Sequence, residues 1–300
     1  MDALPIHEIS DQKFKSQSDG KMHACGHDAH TAMLLGAAAI LKKMEHSLIG
    51  TVRLMFQPAE EGGAGAKRMI EEGVLQMQPP VSHAYAMHVW PTLPSGTIAA
   101  RPGPLLAAAD HFQIYLYGKG GHAAMPHLTI DPIVTASYMV VNLQTIISRT
   151  ISPLESGVVS ITQIKAGQDV YNVIPAHAIL KGTIRALSTD TLISLRNKVQ
   201  HIVNTTASMH QCNFTIDFSP DFYPPTINDP TLFEFSKTVA ARVSKEGILR
   251  DDIEPTMGAE DFAFVAQAVP STFFLLGQGG RSEQELEELA VKHKKPNNKK

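Results

Sequence analysis

His111-Phe112-Gln113-Ile114-Tyr115-Leu116-Tyr117, rich in aromatic and aliphatic side chains, reads as a strand, and the order of elements after it decides the fold. Asp131 to Arg149 predicts a long helix. Gly157 to Lys165 and Ala178 to Ala186 predict two strands, separated by a loop containing Asn172 and Pro175. Thr189 to His210 predicts a second helix, and Asn213 to Phe218 a last strand. The order is βαββαβ, the ferredoxin-like split βαβ plan, which is self-contained.

On either side the pattern is different. Asp28 to about His46 sets Met33, Leu34, Ala37, Ala38 and Leu41 at helical spacing, with Lys42 and Lys43 near the end. Thr51 to Phe56 is a compact apolar run ending at Pro58, and predicts a buried strand. Ala64 to Glu72 suits a helix closed by Gly73, and Val81 to His88 a strand stopped by Trp90-Pro91. After Asn228 come a helix from Pro230 to Ser244, the loop Met257-Gly258-Ala259-Glu260-Asp261-Phe262, and an apolar strand from Thr272 to Leu276. The expected fold class is therefore α/β: a discontinuous α/β domain, 1–106 and 224–280, with the βαββαβ unit, 107–223, inserted. Residues 281–300 lose their apolar content and predict a solvated tail, with a short surface helix possible over Glu283 to Val291.

Composition excludes several classes. An apolar share of 43% and a charged share of 18% belong to a globular chain, neither disordered nor membrane-embedded. Lys+Arg of 26 against Asp+Glu of 29 gives −3, so no nucleic-acid surface is expected. No run of eighteen apolar residues predicts a membrane span, and the start lacks the pattern of a signal peptide. Two cysteines, Cys25 and Cys212, argue against a disulfide framework and predict a reducing, cytoplasmic compartment.

The chemistry is concentrated at strand and loop ends. His23-Ala24-Cys25-Gly26-His27-Asp28-Ala29-His30 packs a thiol and three imidazoles into eight residues, and Gly26 permits the bend that turns Cys25 and His27 toward one ion. The ordinary alternatives are a buried apolar Cys25, and His27 or His30 bonded to backbone in a first helical turn. Glu60-Glu61 comes directly after an apolar run and precedes two glycines, which favours the mouth of a sheet over an acidic helix start. His88 ends the next predicted strand in the same way, unless it is a core-edge histidine beside Trp90. Cys, His and Glu are the donors that hold zinc-like ions, and a carboxylate beside a ligand is the proton acceptor a hydrolase needs. A thiol enzyme built on Cys25 competes poorly, because no Cys–His–Asn/Asp series presents itself.

Ala24-Cys-Gly-His-Asp-Ala-His30, Phe56-Gln-Pro-Ala-Glu-Glu-Gly62, Gly120-Gly-His-Ala-Ala-Met-Pro-His127, Asn172-Val-Ile-Pro175, Gly182-Thr-Ile-Arg185 and Met257-Gly-Ala-Glu-Asp-Phe262 resemble the M20 metallopeptidase superfamily. The similarity is to its amidohydrolase branch, which holds hippurate hydrolases, N-acyl-amino-acid amidohydrolases and plant auxin-conjugate hydrolases, and it runs to about residue 279. The resemblance implies two divalent ions, manganese or zinc, with Cys25, His27, Glu61 and His88 as ligands. It makes Glu60 the general base toward a metal-bound water, and Asp2 the acid that orients a ligand. It also implies that the βαββαβ unit is a lid and homodimerisation domain. There His122 would reach the reacting carbonyl, while Asn172 and Arg185 would meet the substrate's carboxylate end. The expected substrate is an N-acyl amino acid, cleaved at its amide.

Two departures qualify that expectation. The family has strands and helices ahead of the segment matching Met1-Asp2-Ala3-Leu4-Pro5, and a late metal histidine after the strand matching Thr272–Leu276. Here Gly277-Gln278-Gly279-Gly280 leads into an acidic run, and His293, in a Lys-rich setting, is not assigned the role. The second metal site is thus expected to be impaired. A truncated enzyme is one account. A non-catalytic dimerising or metal-binding protein is another, and a dipeptidase or carboxypeptidase on the same scaffold a third.

Overall fold

The computed structural model describes residues 1–245, 247–282, 284, 285 and 288. The expected tail from residue 289 on, with most of the Glu283–Val291 helix and His293, lies outside the described residues. The chain divides into two compact units: one of residues 1–105, 227–254 and 261–300, the other of 106–226 and 255–260.

The second unit is built on strands Ala108–Tyr117, Gly157–Ala166, His177–Ala186 and Asn213–Phe218, with helices Pro132–Thr145 and Thr189–Met209. Ala108–Tyr117 pairs antiparallel with His177–Ala186 on one side and Asn213–Phe218 on the other; Gly157–Ala166 flanks His177–Ala186. The fourth, first, third and second strands thus lie side by side, as the split βαβ order requires. Alternation does the sorting: Phe112, Ile114 and Leu116 are buried on the central strand, and Ala178, Leu180, Ile184 and Ala186 on its neighbour. Leu192, Leu195, Val199 and Val203 recur at helical spacing and complete the same core, with Met139 and Leu143 from the other helix.

Helix starts are set by capping. The Asp131 carboxylate accepts from the Ile133 amide at 2.8 Å, with Pro132 as the first helical residue. Ser188 Oγ accepts from Thr191 N at 3.1 Å. The first helix is shorter than the sequence suggests, ending at Thr145 and loosening into a π-turn over Ile146–Thr150. Asp110, on strand Ala108–Tyr117 itself, is buried and accepts from the amides of His111 and Ser219, with the Arg196 guanidinium 3.4 Å from its second oxygen.

The first unit holds a four-stranded sheet in the order Ala84–Trp90, Ser271–Gly277, Ile98–Ala99, Leu249–Arg250. Ala84–Trp90 runs parallel to Ser271–Gly277 in unbroken register, His88 opposite Leu275. Phe273 and Leu275 are buried there, and Ala100, Phe233, Ala240 and Leu249 form a cluster under helix Pro230–Val243. Helix His27–Lys43 half-buries the apolar stripe Met33, Leu34, Ala37, Ala38 and Leu41, yet buries none of its 17 residues fully.

One expectation is corrected. Thr51–Phe56 is neither a strand nor buried: Val52 is 53% exposed and Phe56 48%. A strand exists only through a neighbour that takes its hydrogen bonds, and no described strand pairs with this segment. Arg53 instead donates to the carbonyls of Val74, Met77 and Pro79. Among the described residues no helix is long and apolar enough to cross a membrane.

Candidate metal centre

Gly26 starts the site. It caps helix His27–Lys43 in the left-handed region, φ 78°, and a Cβ there would lie 2.6 Å from Val89 Cγ2. Only glycine allows both the turn and the close approach. The turn brings Cys25 and His27 to the same side as His88 of the edge strand, so that one donor atom from each lies within 4.8 Å of the other two. Cys25 Sγ and His88 Nε2 are 3.6 Å apart. Atoms sitting 2.0–2.3 Å from a common ion are at most about 4.6 Å apart, so this spacing suits one zinc-like cation.

Histidine tautomers are set by backbone. His88 Nδ1 donates to the Val89 carbonyl at 2.7 Å, which leaves Nε2 with its lone pair toward Cys25. His30 Nε2 accepts from the Val89 amide at 3.0 Å and its ring meets His88 edge-on, with centroids 4.5 Å apart. Burial, then the neighbouring His88 and His27, push the His30 pKa down to about 4, so the ring is a neutral acceptor. Burial likewise lowers that of His88. His30 thus takes the backbone-bonded role that was the ordinary reading of this segment.

The carboxylates enter on a strained loop. Ala59 and Ala64 flank Glu60 and Glu61 with φ of 56° and 49°, positions that cost non-glycine residues of order 1–3 kcal/mol. At Gly65 a Cβ would sit 1.6 Å from the Pro58 carbonyl oxygen. Two carboxylates grip this loop. Asp2 accepts from the amides of Ala59 at 3.1 Å and Glu61 at 3.0 Å. Burial works to raise the Asp2 pKa, but these donors offset it and the group ends below its ordinary value. Asp261, fully buried, accepts from the Gln57 side-chain amide and from Ala66 N at 3.0 Å.

Glu60 lies at the middle, its Oε2 3.7 Å from His27 Nε2, and Asp2, His27 and Glu60 form a second group with donor atoms within 4.8 Å. Burial, then the charges of Asp261, Glu61 and Asp2, push the Glu60 pKa up to about 8. Such crowded carboxylates call for a cation: a positive ion among them offsets the repulsion that burial sharpens. The Glu61 carboxylate joins none of the three-donor groups found among the described residues, although its charge is felt at His88.

His122, Asn172 and Arg185 belong to the second unit. His122 sits on the two-residue strand Gly121–His122, opposite Val173, and its Nδ1 accepts from Ala124 N at 3.1 Å. The Asn172 carbonyl accepts from Ala123 N at 2.9 Å, so His122 and Asn172 lie at one end of a small two-stranded antiparallel sheet. Arg185, half-buried, donates to Thr183 Oγ1 and to the Met257 carbonyl, both at 3.2 Å, and burial lowers its pKa. Residues without a sequence-based role, Gln57 and Asp261, are prominent here. Their only signal in the sequence is membership of the Phe56–Gly62 and Met257–Phe262 motifs.

The family model for "Peptidase family M20/M25/M40" matches residues 1–295. The chain is 44% identical over 290 residues to IAA-amino acid hydrolase ILR1-like 4 of Arabidopsis thaliana, covering 95% of this chain and 64% of that protein. It is 40% identical over 283 residues to N-acetylcysteine deacetylase of Bacillus subtilis strain 168, covering 94% and 72%. Among solved structures it matches the Bacillus subtilis YXEP protein, described as a dinuclear metal-binding peptidase from the M20 family. There the TM-score is 0.75 at 36% identity, with coverage of 94% of this chain and 71% of that one. The chain belongs to peptidase family M20/M25/M40. It spans less than two thirds of the length of the plant relative.

Proposed function

We propose that this chain carries the metal centre of an amidohydrolase that cleaves the amide bond of N-acyl amino acids. The observation that carries the reading is the convergence of Cys25, His27 and His88 beside the Glu60 carboxylate. Relatives named for hydrolysis of IAA–amino acids and for N-acetylcysteine deacetylation support the substrate class.

Cys25, His27 and His88, which converge, together with Glu61, whose role rests on the motif resemblance, would hold a pair of divalent ions, manganese or zinc, and thiolate, imidazole and carboxylate donors suit both a thiolate-tolerant and an oxygen-preferring cation. When bound, such ions acidify water and polarise the scissile carbonyl. Glu60 takes the proton of the attacking water and returns it to the leaving nitrogen. Asp2 holds the Glu60–Glu61 backbone in place through the Ala59 and Glu61 amides. His122 donates to the carbonyl oxygen as charge builds there, and Asn172 and Arg185 bind the substrate carboxylate; these three roles rest on the motif resemblance. Residues 107–223 act as the lid and homodimerisation domain on the same ground. The free thiols of Cys25 and Cys212 fit a cytoplasmic location.

The test is turnover of a panel of N-acyl amino acids and dipeptides by the 300-residue chain loaded with Mn²⁺ or Zn²⁺. Acyl amino acids are the expected substrates, and Glu60→Gln is expected to lower kcat by about 10²–10⁴-fold with metal content unchanged. Full activity in Glu60→Gln, or none in the parent chain, contradicts the reading.

A further inference from the structure

The loop that carries Glu60 and Glu61 is gripped from a point about two hundred residues away in sequence. One Asp261 carboxylate oxygen accepts from the Gln57 amide and the other from Ala66 N, so a single buried group ties the two ends of the 57–66 stretch. The Asp261 backbone N–H donates to the Glu60 carboxylate at its centre. Between these anchors the chain holds two alanines in the left-handed region, a shape it would leave if released. The bland role for such a carboxylate is to satisfy one free amide at the start of helix Gly65–Glu71. That role requires neither Gln57 nor the contact with Glu60.

We propose that Asp261 is a positioning residue for Glu60, bracketing the Gln57–Ala66 loop so that the Glu60 carboxylate is aimed before substrate arrives. The claim deepens the hydrolase reading and rests on it for its kinetic arm. Geometry is what the bracket supplies, and displacement of a reacting group by about 1 Å typically costs about 10²-fold in rate.

The experiment uses Asp261→Asn, Gln57→Glu and the double variant. Asp261→Asn leaves one acceptor where two are needed. Gln57→Glu sets two carboxylates face to face. In the double variant the Asn amide donates to the new Glu while its oxygen keeps Ala66 N, which restores both bonds and the original charge. Hydrogen exchange of the amides over 59–66, read by mass spectrometry without substrate, is expected to quicken at least tenfold in each single variant and to recover in the double. kcat on the N-acyl amino acid turned over best is expected to fall about 10²-fold in the single variants, with KM within about twofold, and to recover to within about threefold in the double. Unchanged exchange in Asp261→Asn, or no recovery in the double variant, overturns the bracket whether or not the chain is active. Faster exchange with unaltered kcat overturns the positioning of Glu60. A parent chain without hydrolysis sinks the functional reading separately, and the exchange result then decides the bracket alone.

Discussion

Glu60 and His30 show how the site resolves competing demands at single side chains. Glu60 is part-buried, and that burial, then the charges of Asp261, Glu61 and Asp2, push its pKa up to about 8 without a cation nearby. His30 is driven the opposite way, to about 4, and stays neutral at every pH where the protein would work. Its lone pair is therefore committed to the Val89 amide, the outward-facing donor of the edge strand beside His88. Removing that acceptor leaves a part-buried N–H without its partner, a loss of about 1–3 kcal/mol. His30→Ala is expected to lower the urea midpoint accordingly while His30→Gln, which keeps an acceptor, recovers part of it. Equal midpoints in all three proteins would show that the contact contributes nothing.

Elements differ in how far they could be read from sequence, and the difference is one of range. In the second unit each strand and helix carries its own period, so Asn213–Phe218 and Thr189–Met209 match the reading to within a residue. Asp131-Pro132 and Ser188 announce their helices because capping is a contact across two or three residues. Thr51–Phe56 has the composition of a strand, but among the described residues no strand pairs with it, and composition is silent about pairing. Packing and capping also rank differently in energy, and the ranking is testable. Leu195→Ala, a fully buried truncation in the shared core, should cost 2–5 kcal/mol, roughly what such cavities cost. Asp131→Ala, which removes only a cap, should cost about 1 kcal/mol. Denaturant titration of both would contradict the packing scheme if the cap proved the costlier loss.

Across the whole molecule, the candidate site assembles from five separated segments, near residues 2, 25–30, 57–66, 88 and 261. Motif resemblance located most of these donors, because the residue types themselves are distinctive. It gave no role to Asp261 or Gln57, whose partnership spans the chain and has no local signature. A site gathered in this way should be tightened by its ion: ligand at a hundredfold its Kd stabilises the native state by about 2.7 kcal/mol. Thermal melting with and without Zn²⁺ is expected to show that rise in the parent chain and to lose it in Cys25→Ala/His88→Ala. The most direct measurement is metal content itself, by elemental analysis after equilibrium dialysis of both proteins against Mn²⁺ or Zn²⁺. The account predicts at least one tightly held ion per parent chain and at least one fewer in the double variant. A parent chain that retains none, or a double variant that retains as many, contradicts it.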